Sequence, residues 1–120
     1  MNVAVIGASD KPDRYSYKAL KLLEEKGHRV FAVHPRVKVI DGQSVYSSLE
    51  MIAEPIDIIT LYVASNVSAA IAQSILKKLP KKIIFNPGAE NLDLERLAAQ
   101  EGIVTVRACT LVLLRTGQFS

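Results

Sequence analysis

Five short apolar runs rich in β-branched residues recur along the chain: NVAVI at 2–6, RVFAV at 29–33, IDIITLYV at 56–63, KKIIFN at 81–86 and IVTVRA at 103–108. Stretches with helical periodicity separate most of them. The third run is almost wholly apolar, as in a strand covered on both faces of a parallel sheet. Strand and helix alternating with short connections predict an α/β fold, a three-layer sandwich with a five-stranded, mainly parallel sheet and helices on both faces. Crossovers should be right-handed.

Between the strands, residues 14–26 read as a helix. Ser16, Ala19, Leu20 and Leu23 share one face, and Gly27 is a left-handed stop. Residues 36–46 read as irregular, with a turn at Asp41-Gly42. Ser47 and Glu50 have capping-box spacing and open a short helix ending before Pro55. Ser65 or Asn66 caps a helix to about Leu79, with Val67, Ala70, Ile71 and Ile75 inward. Asn91 caps the next, with Leu94, Leu97 and Ala98 inward and Gly102 at its end. The apolar segment TLVLL at 110–114 is expected to cover a sheet edge or make a dimer contact.

Hydrophobic residues at 49% and charged residues at 22% suit a globular chain, and 120 residues suit a single domain spanning 1–120. No apolar run approaches the roughly 20 residues that span a bilayer. The N-terminal run is too short for a secretory signal, so the expected location is cytoplasmic. The net charge of +3 comes from scattered basic residues with only 6% aromatics, which speaks against a nucleic-acid surface. A small anionic ligand suits the same charge.

In an open parallel sheet, ligands bind beyond the carboxyl ends of the strands, where the strand order reverses. The residues at those ends are Gly7, Ala8, Ser9, Asp10 and Lys11, then His34, Pro35 and Arg36, then Val63, Ala64 and Ser65, then Asn86, Pro87 and Gly88, and last Cys109. Gly7 serves either a tight turn or the close approach of a phosphate. The small residues after it and the following helix start favour the phosphate. Arg14 and Lys18 lie four apart on one side of that helix. Arg14 opposes the helix dipole unless an anion offsets it.

The dinucleotide fingerprint G-x-G-x-x-G is matched at one glycine in three, with Ser9 and Pro12 at the other two positions. The acid that an NAD site places after strand two is replaced by His34-Pro35-Arg36. A base there suits a ligand with an extra phosphate on its adenosine ribose, which leaves coenzyme A and NADP. His34 could equally be a strand-end residue packed on Pro35.

VAVIGAS with R-x-S-Y at 14–17, GHRVFAVHP, IDGQSVYSSLEMI and PIDIITLYV, in this order and spacing, resemble the stand-alone CoA-binding domain family. These Rossmann-like proteins are similar to the nucleotide-binding domain of the succinyl-CoA synthetase α subunit. The resemblance implies a ligand of coenzyme A or acyl-CoA. Gly7, Ala8, Ser9 and Arg14 would stand near its diphosphate, with Ser16 and Lys18 close by. His34, Pro35 and Arg36 would lie near the adenosine, and Val63 and Ala64 would border the nucleotide. The chain departs from the family in having His-Pro after strand two, VASN after strand three and FNPGAEN after strand four.

No catalytic constellation assembles. His28 lies at the wrong end of the sheet, and no Walker lysine, metal-ligand cluster or serine elbow is present. Glu90 reads as helix N-terminal charge. Cys109 is either an apolar filler or a thiol placed to meet that of coenzyme A. The reading is a protein that binds coenzyme A or acyl-CoA without transforming it, as a sensor, carrier or partner module. The alternatives are an NADPH-binding redox module and a ligase-like subunit that needs a partner chain. A homodimer or a partner protein is compatible with either.

Overall fold

Asn2–Ile6 forms β1, and its alternation sets the layers of the molecule. Val3 and Val5 point to one side of the sheet, and Ala4 and Ile6 to the other; all four are buried. The computed structural model describes residues 1–120. After β1 come helix α1 (Tyr15–Glu25), β2 (Arg29–Val33), a hairpin of β3 (Val39–Ile40) and β4 (Gln43–Ser44), and a 3-10 turn at Leu49–Met51. Then follow β5 (Ile58–Leu61), α2 (Ser65–Ala70), α3 (Ala72–Lys77), β6 (Lys82–Phe85), α4 (Leu92–Gln100), β7 (Val104–Arg107) and α5 (Thr110–Arg115).

Five strands pair in parallel in the order β2-β1-β5-β6-β7. The chain builds outward from β1 to β2, then returns to the far side of β1 and continues. The architecture is the expected Rossmann-like three-layer sandwich, and the reversal places a crevice between β1 and β5. One face carries α1 and α5. There Leu20, Leu23, Leu114 and Phe119 pack on Val3, Val5, Ile58 and Ile84. The other face carries α2, α3, α4 and the 3-10 turn, around Ile59, Leu61, Ile75, Ile83, Phe85 and Leu94. No helix is long and apolar enough to cross a membrane.

The expected inner face of α1 is observed: Ser16, Ala19, Leu20 and Leu23 are its buried residues. Elsewhere the structure departs from expectation. The helix expected from 65 to 79 breaks at Ile71 (φ −111°, ψ 13°). Its cap is Ala64, without a side-chain bond. The break changes the phase of the helical face, so Ser68 is buried while Val67, expected inward, is 43% exposed, and Ala70 is exposed too. In α4, Asn91 caps through its side chain as expected, but Leu97 stays at the rim. The helix expected after Ser47 is only the 3-10 turn. It has no side-chain cap, and the Glu50 carboxylate is drawn away by the Ser74 hydroxyl at 2.9 Å. TLVLL forms α5, which lies on the sheet face beside α1 instead of on an edge.

The stretch expected to be irregular contains the β3–β4 hairpin. Asp41 (φ 49°) and Gly42 (φ 80°) form its two-residue turn, which needs left-handed backbone at both positions. The Tyr17 hydroxyl donates to Asp41 at 2.6 Å, and Lys21 pairs with Asp41 at 3.0 Å, so the hairpin tip is tied to α1. The hydrogen bond from Tyr17 and then that from Lys21 hold the Asp41 carboxyl below the usual carboxylate range.

At the opposite end of the sheet, Nδ1 of His28 is buried without a partner, and its ring meets Phe119 edge-on with centroids 5.1 Å apart. Burial first, and then the N-terminal ammonium, hold its pKa below 6.5. Above pH 6.5 the ring is neutral in both folded and unfolded chains. Below it the unfolded chain takes up a proton that the folded one resists, so stability falls as the pH drops. The wild type is therefore expected to lose more Tm between pH 7.5 and pH 5 than His28→Phe. Equal losses in thermal melts at the two pH values would remove His28 from that account.

Candidate functional site

At the carboxyl ends of β1 and β2 the chain opens into a cleft of about 860 Å³. That volume lies within the range of small-molecule sites. Gly7, the first residue after β1, adopts φ +88°. A Cβ there would come within 2.8 Å of Val63 Cγ1 and 2.9 Å of the Tyr62 carbonyl oxygen. The glycine is thus required by the close approach of β1 to the segment after β5, at the point where the strand order reverses.

The amides of Gly7 and Ala8 both donate to the carbonyl of Val33, at 3.0 and 3.2 Å. They lace the end of β1 to β2 and leave no donor for an anion. The free donors lie further on. Arg14 stands at the N-cap of α1 with no side-chain cap, and no acid occupies the first turn. The amides of Tyr15, Ser16 and Tyr17 find no acceptor in the protein. Uncapped amides and the positive end of an 11-residue helix together favour an anion at this point.

Three cations line the cleft, Lys11, Arg14 and Arg36, and none forms an ion pair within the protein. Arg36 is presented by a turn that His34 organises. His34 Nδ1 accepts the amides of Arg36 and Val37, each at 3.0 Å. That bonding requires an unprotonated Nδ1, so the ring's free hydrogen is on Nε2. His34 therefore shapes the loop after β2 and lines the cleft as well.

The cleft brings together Gly7, Ala8, Ser9, Arg14, Ser16, His34, Pro35, Arg36 and Val63. The other expected residues stand outside its lining. Lys18 turns its ammonium over the Tyr15 ring, 5.6 Å from the centroid. Ala64 is the cap residue of α2. Asn86 is 2% exposed, and its side chain is spent on structure. Its amide donates to Thr60 Oγ1 at 2.7 Å and to the Leu61 carbonyl at 2.8 Å, and its oxygen accepts the Thr110 amide at 2.9 Å. The Gly88 amide, after Pro87, donates to Glu90. Cys109, half-buried, is the cap residue of α5.

Sequence reasoning missed Ser47, Ser48, Leu49 and Glu50, which the hairpin carries back to the end of β2. Tyr46 exchanges backbone bonds with Ala32 and His34 there. Asp41-Gly42 between Val39 and Val45 was the available hairpin signal. It also missed Tyr62, Val67, Ile71 and Ser74, which complete the lining of the cleft. The Tyr62 hydroxyl is buried without a bonded partner, and burial, partly offset by the nearby Thr110 hydroxyl, pushes its pKa up to about 12.

The chain is 33% identical over 75 residues to the uncharacterized protein YneT of Bacillus subtilis. The match covers 62% of this chain, and the chain spans only 56% of that relative's length. The crystal structure of an uncharacterized protein superposes with a TM-score of 0.92 at 34% identity, covering 98% of this chain and 97% of that one. The structure of cell-free ID.343 from Thermus thermophilus superposes with a TM-score of 0.89 at 25% identity, covering 98% of this chain and 90% of that one. The sequence matches the family model described as CoA binding domain over residues 1–115, which contain every residue of the cleft, and the chain belongs to that family.

Proposed function

We propose that the protein binds coenzyme A or an acyl-CoA in this cleft by its nucleotide end and returns it chemically unchanged. One observation carries the reading: three unpaired cations and the uncapped amides of α1 converge on a cleft with a base, not an acid, after β2. Coenzyme A brings a diphosphate and a 3′-phosphate. The diphosphate meets the start of α1 and Arg14, and the 3′-phosphate meets Arg36 on the turn set by His34. An acid after β2, which would accept a ribose hydroxyl, would repel that 3′-phosphate. A carrier or sensor role suits a ligand gripped by its phosphates, with its thiol end left outside these contacts.

A ligand that binds only the folded state at a hundredfold excess over its Kd stabilises it by about 2.7 kcal/mol. Coenzyme A is expected to raise Tm by several degrees, and 3′-dephospho-CoA to bind about 10-fold more weakly, one charge-assisted contact being lost. Arg36→Ala should bring the two ligands to similar affinity. Calorimetric titration with coenzyme A, 3′-dephospho-CoA and NADPH separates the readings. Binding of NADPH without binding of coenzyme A would replace this function with the redox alternative. Conversion of acetyl-CoA on incubation, read by mass spectrometry, would end the non-catalytic part of it.

A further inference from the structure

Two acids line the cleft, Asp10 in the loop after β1 and Glu50, and Glu50 is the one that a side-chain hydrogen bond fixes in place. Its carboxylate would repel a phosphate, yet it lines the same cleft as Lys11, Arg14 and Arg36. It does not cap the turn it sits on. Instead the Ser74 hydroxyl, from α3, donates to Glu50 Oε1 at 2.9 Å and fixes the carboxylate on the α3 side of the sheet, the face opposite α1. Leu49 beside it packs in the same core cluster as Val63 and Ile71, from the segments after β5, and Val67 lines the cleft with them. Val67 leaves 43% of its surface uncovered there, next to the break in the helix at Ile71.

The cleft is therefore polarised. Lys11, Arg14 and the free amides stand at one end, by the start of α1, and Glu50 stands with Leu49, Val63 and Ile71 at the other, on the opposite face of the sheet, while Arg36 follows β2. Phosphates belong at the first end, so the base of the same ligand reaches the second. A carboxylate only accepts hydrogen bonds, and with Oε1 held by Ser74, Oε2 is left for the ligand. Adenine offers a donor at its exocyclic amine. A base with a carbonyl at that position offers only lone pairs.

We propose that Glu50, positioned by Ser74, reads the exocyclic amine of adenine and makes the site selective for adenine nucleotides over those with a 6-oxo purine. The inference rests on the coenzyme A reading of the cleft. The test is calorimetric titration of the whole chain with coenzyme A and with its hypoxanthine analogue, in which the amine is replaced by oxygen. The wild type is expected to bind the analogue about 10- to 100-fold more weakly, the size of one good base-edge contact. In Glu50→Gln the side-chain amide can donate to the oxo group. The preference should fall to within about threefold, while affinity for coenzyme A itself changes by less than about tenfold because the phosphate contacts are untouched. Ser74→Ala, which frees the carboxylate without removing it, should give a preference between the two.

Equal wild-type affinity for both ligands would overturn the assignment of Glu50 and leave the coenzyme A reading standing. So would a Glu50→Gln preference equal to the wild type's. Failure of the wild type to bind either ligand would overturn both. Glu50 is exposed, and thermal melts of the variants within a few degrees of wild type would tie the change to recognition and not to folding.

Discussion

Gly7→Ala is expected to destabilise the fold by about 2–4 kcal/mol, from left-handed strain and overpacking together. In thermal melts that corresponds to a Tm roughly 8–16 °C lower for a chain of this size. The strain comes from φ +88°, and the overpacking from a Cβ placed 2.8 Å from Val63 Cγ1 and 2.9 Å from the Tyr62 carbonyl oxygen. The side chain of Val63 can give way, but the Tyr62 carbonyl belongs to backbone held by the sheet: the Tyr62 amide donates to Ile6 at 2.9 Å. Relief therefore means separating β1 from β5, which widens the crevice and weakens ligand binding as well. Gly27→Ala separates the two causes. Gly27 has the same φ, +88°, with nothing within 4 Å, so it carries strain alone and should cost about 1–2 kcal/mol. Equal losses in the two variants, measured by urea denaturation, would mean that the contact with the segment after β5 contributes nothing.

Asn86→Ala is expected to cost about 3–5 kcal/mol in the same measurement, because it leaves buried polar groups without partners and opens a cavity. Thr60 and Thr110 are both fully buried, and their hydroxyls bond each other at 2.7 Å. Asn86 joins that pair to the Leu61 carbonyl and to the first amide of α5. Its loss would release the start of α5 from the end of β6. Asn86→Asp makes a sharper test. It keeps the acceptor for the Thr110 amide but turns an oxygen toward the Leu61 carbonyl and places a carboxyl in a buried site. Burial raises the pKa of such a group in the folded state, so its charged form penalises folding near neutral pH and its protonated form does so less. The stability gap between Asn86→Asp and wild type should narrow from pH 7 to pH 5. A gap that widens would mean that the carboxylate finds compensating donors.

The sheet was legible in the sequence because its central strands carry their burial on their own residues. Val3, Ala4, Val5 and Ile6 announce a doubly covered strand wherever they are placed. α1 was legible for a similar reason, since its buried face repeats with the helical period. Legibility ended where a residue's role depends on a distant partner. Glu50 has capping-box spacing to Ser47, but Ser74, 24 residues away, claims its carboxylate. Asn86 sits at a strand end where ligands bind, but Thr60 and Thr110 claim its side chain. The amides of Gly7 and Ala8 look free in a glycine-led loop and are taken by Val33. In the cleft, the residues after β1 and β2 were readable from the topology rule alone. Those of 47–50 were not, because only the tertiary bonds of Tyr46 bring them to the end of β2.

The packing of α5 and Phe119 against α1 and β1 has a consequence for how the chain is made. Val3, Val5, Leu20 and Leu23 are translated well before Leu114 and Phe119, which help to cover them. About a hundred residues separate Leu20 from Phe119, on the order of 5–20 s of synthesis at roughly 5–20 residues per second. For that interval the growing chain displays one apolar face of its central strand and first helix to whatever surrounds the ribosome. The sheet can align earlier, but this half of the core stays open until Leu114 and Phe119 arrive. This face is therefore where chaperone binding or misassembly of the nascent chain should begin.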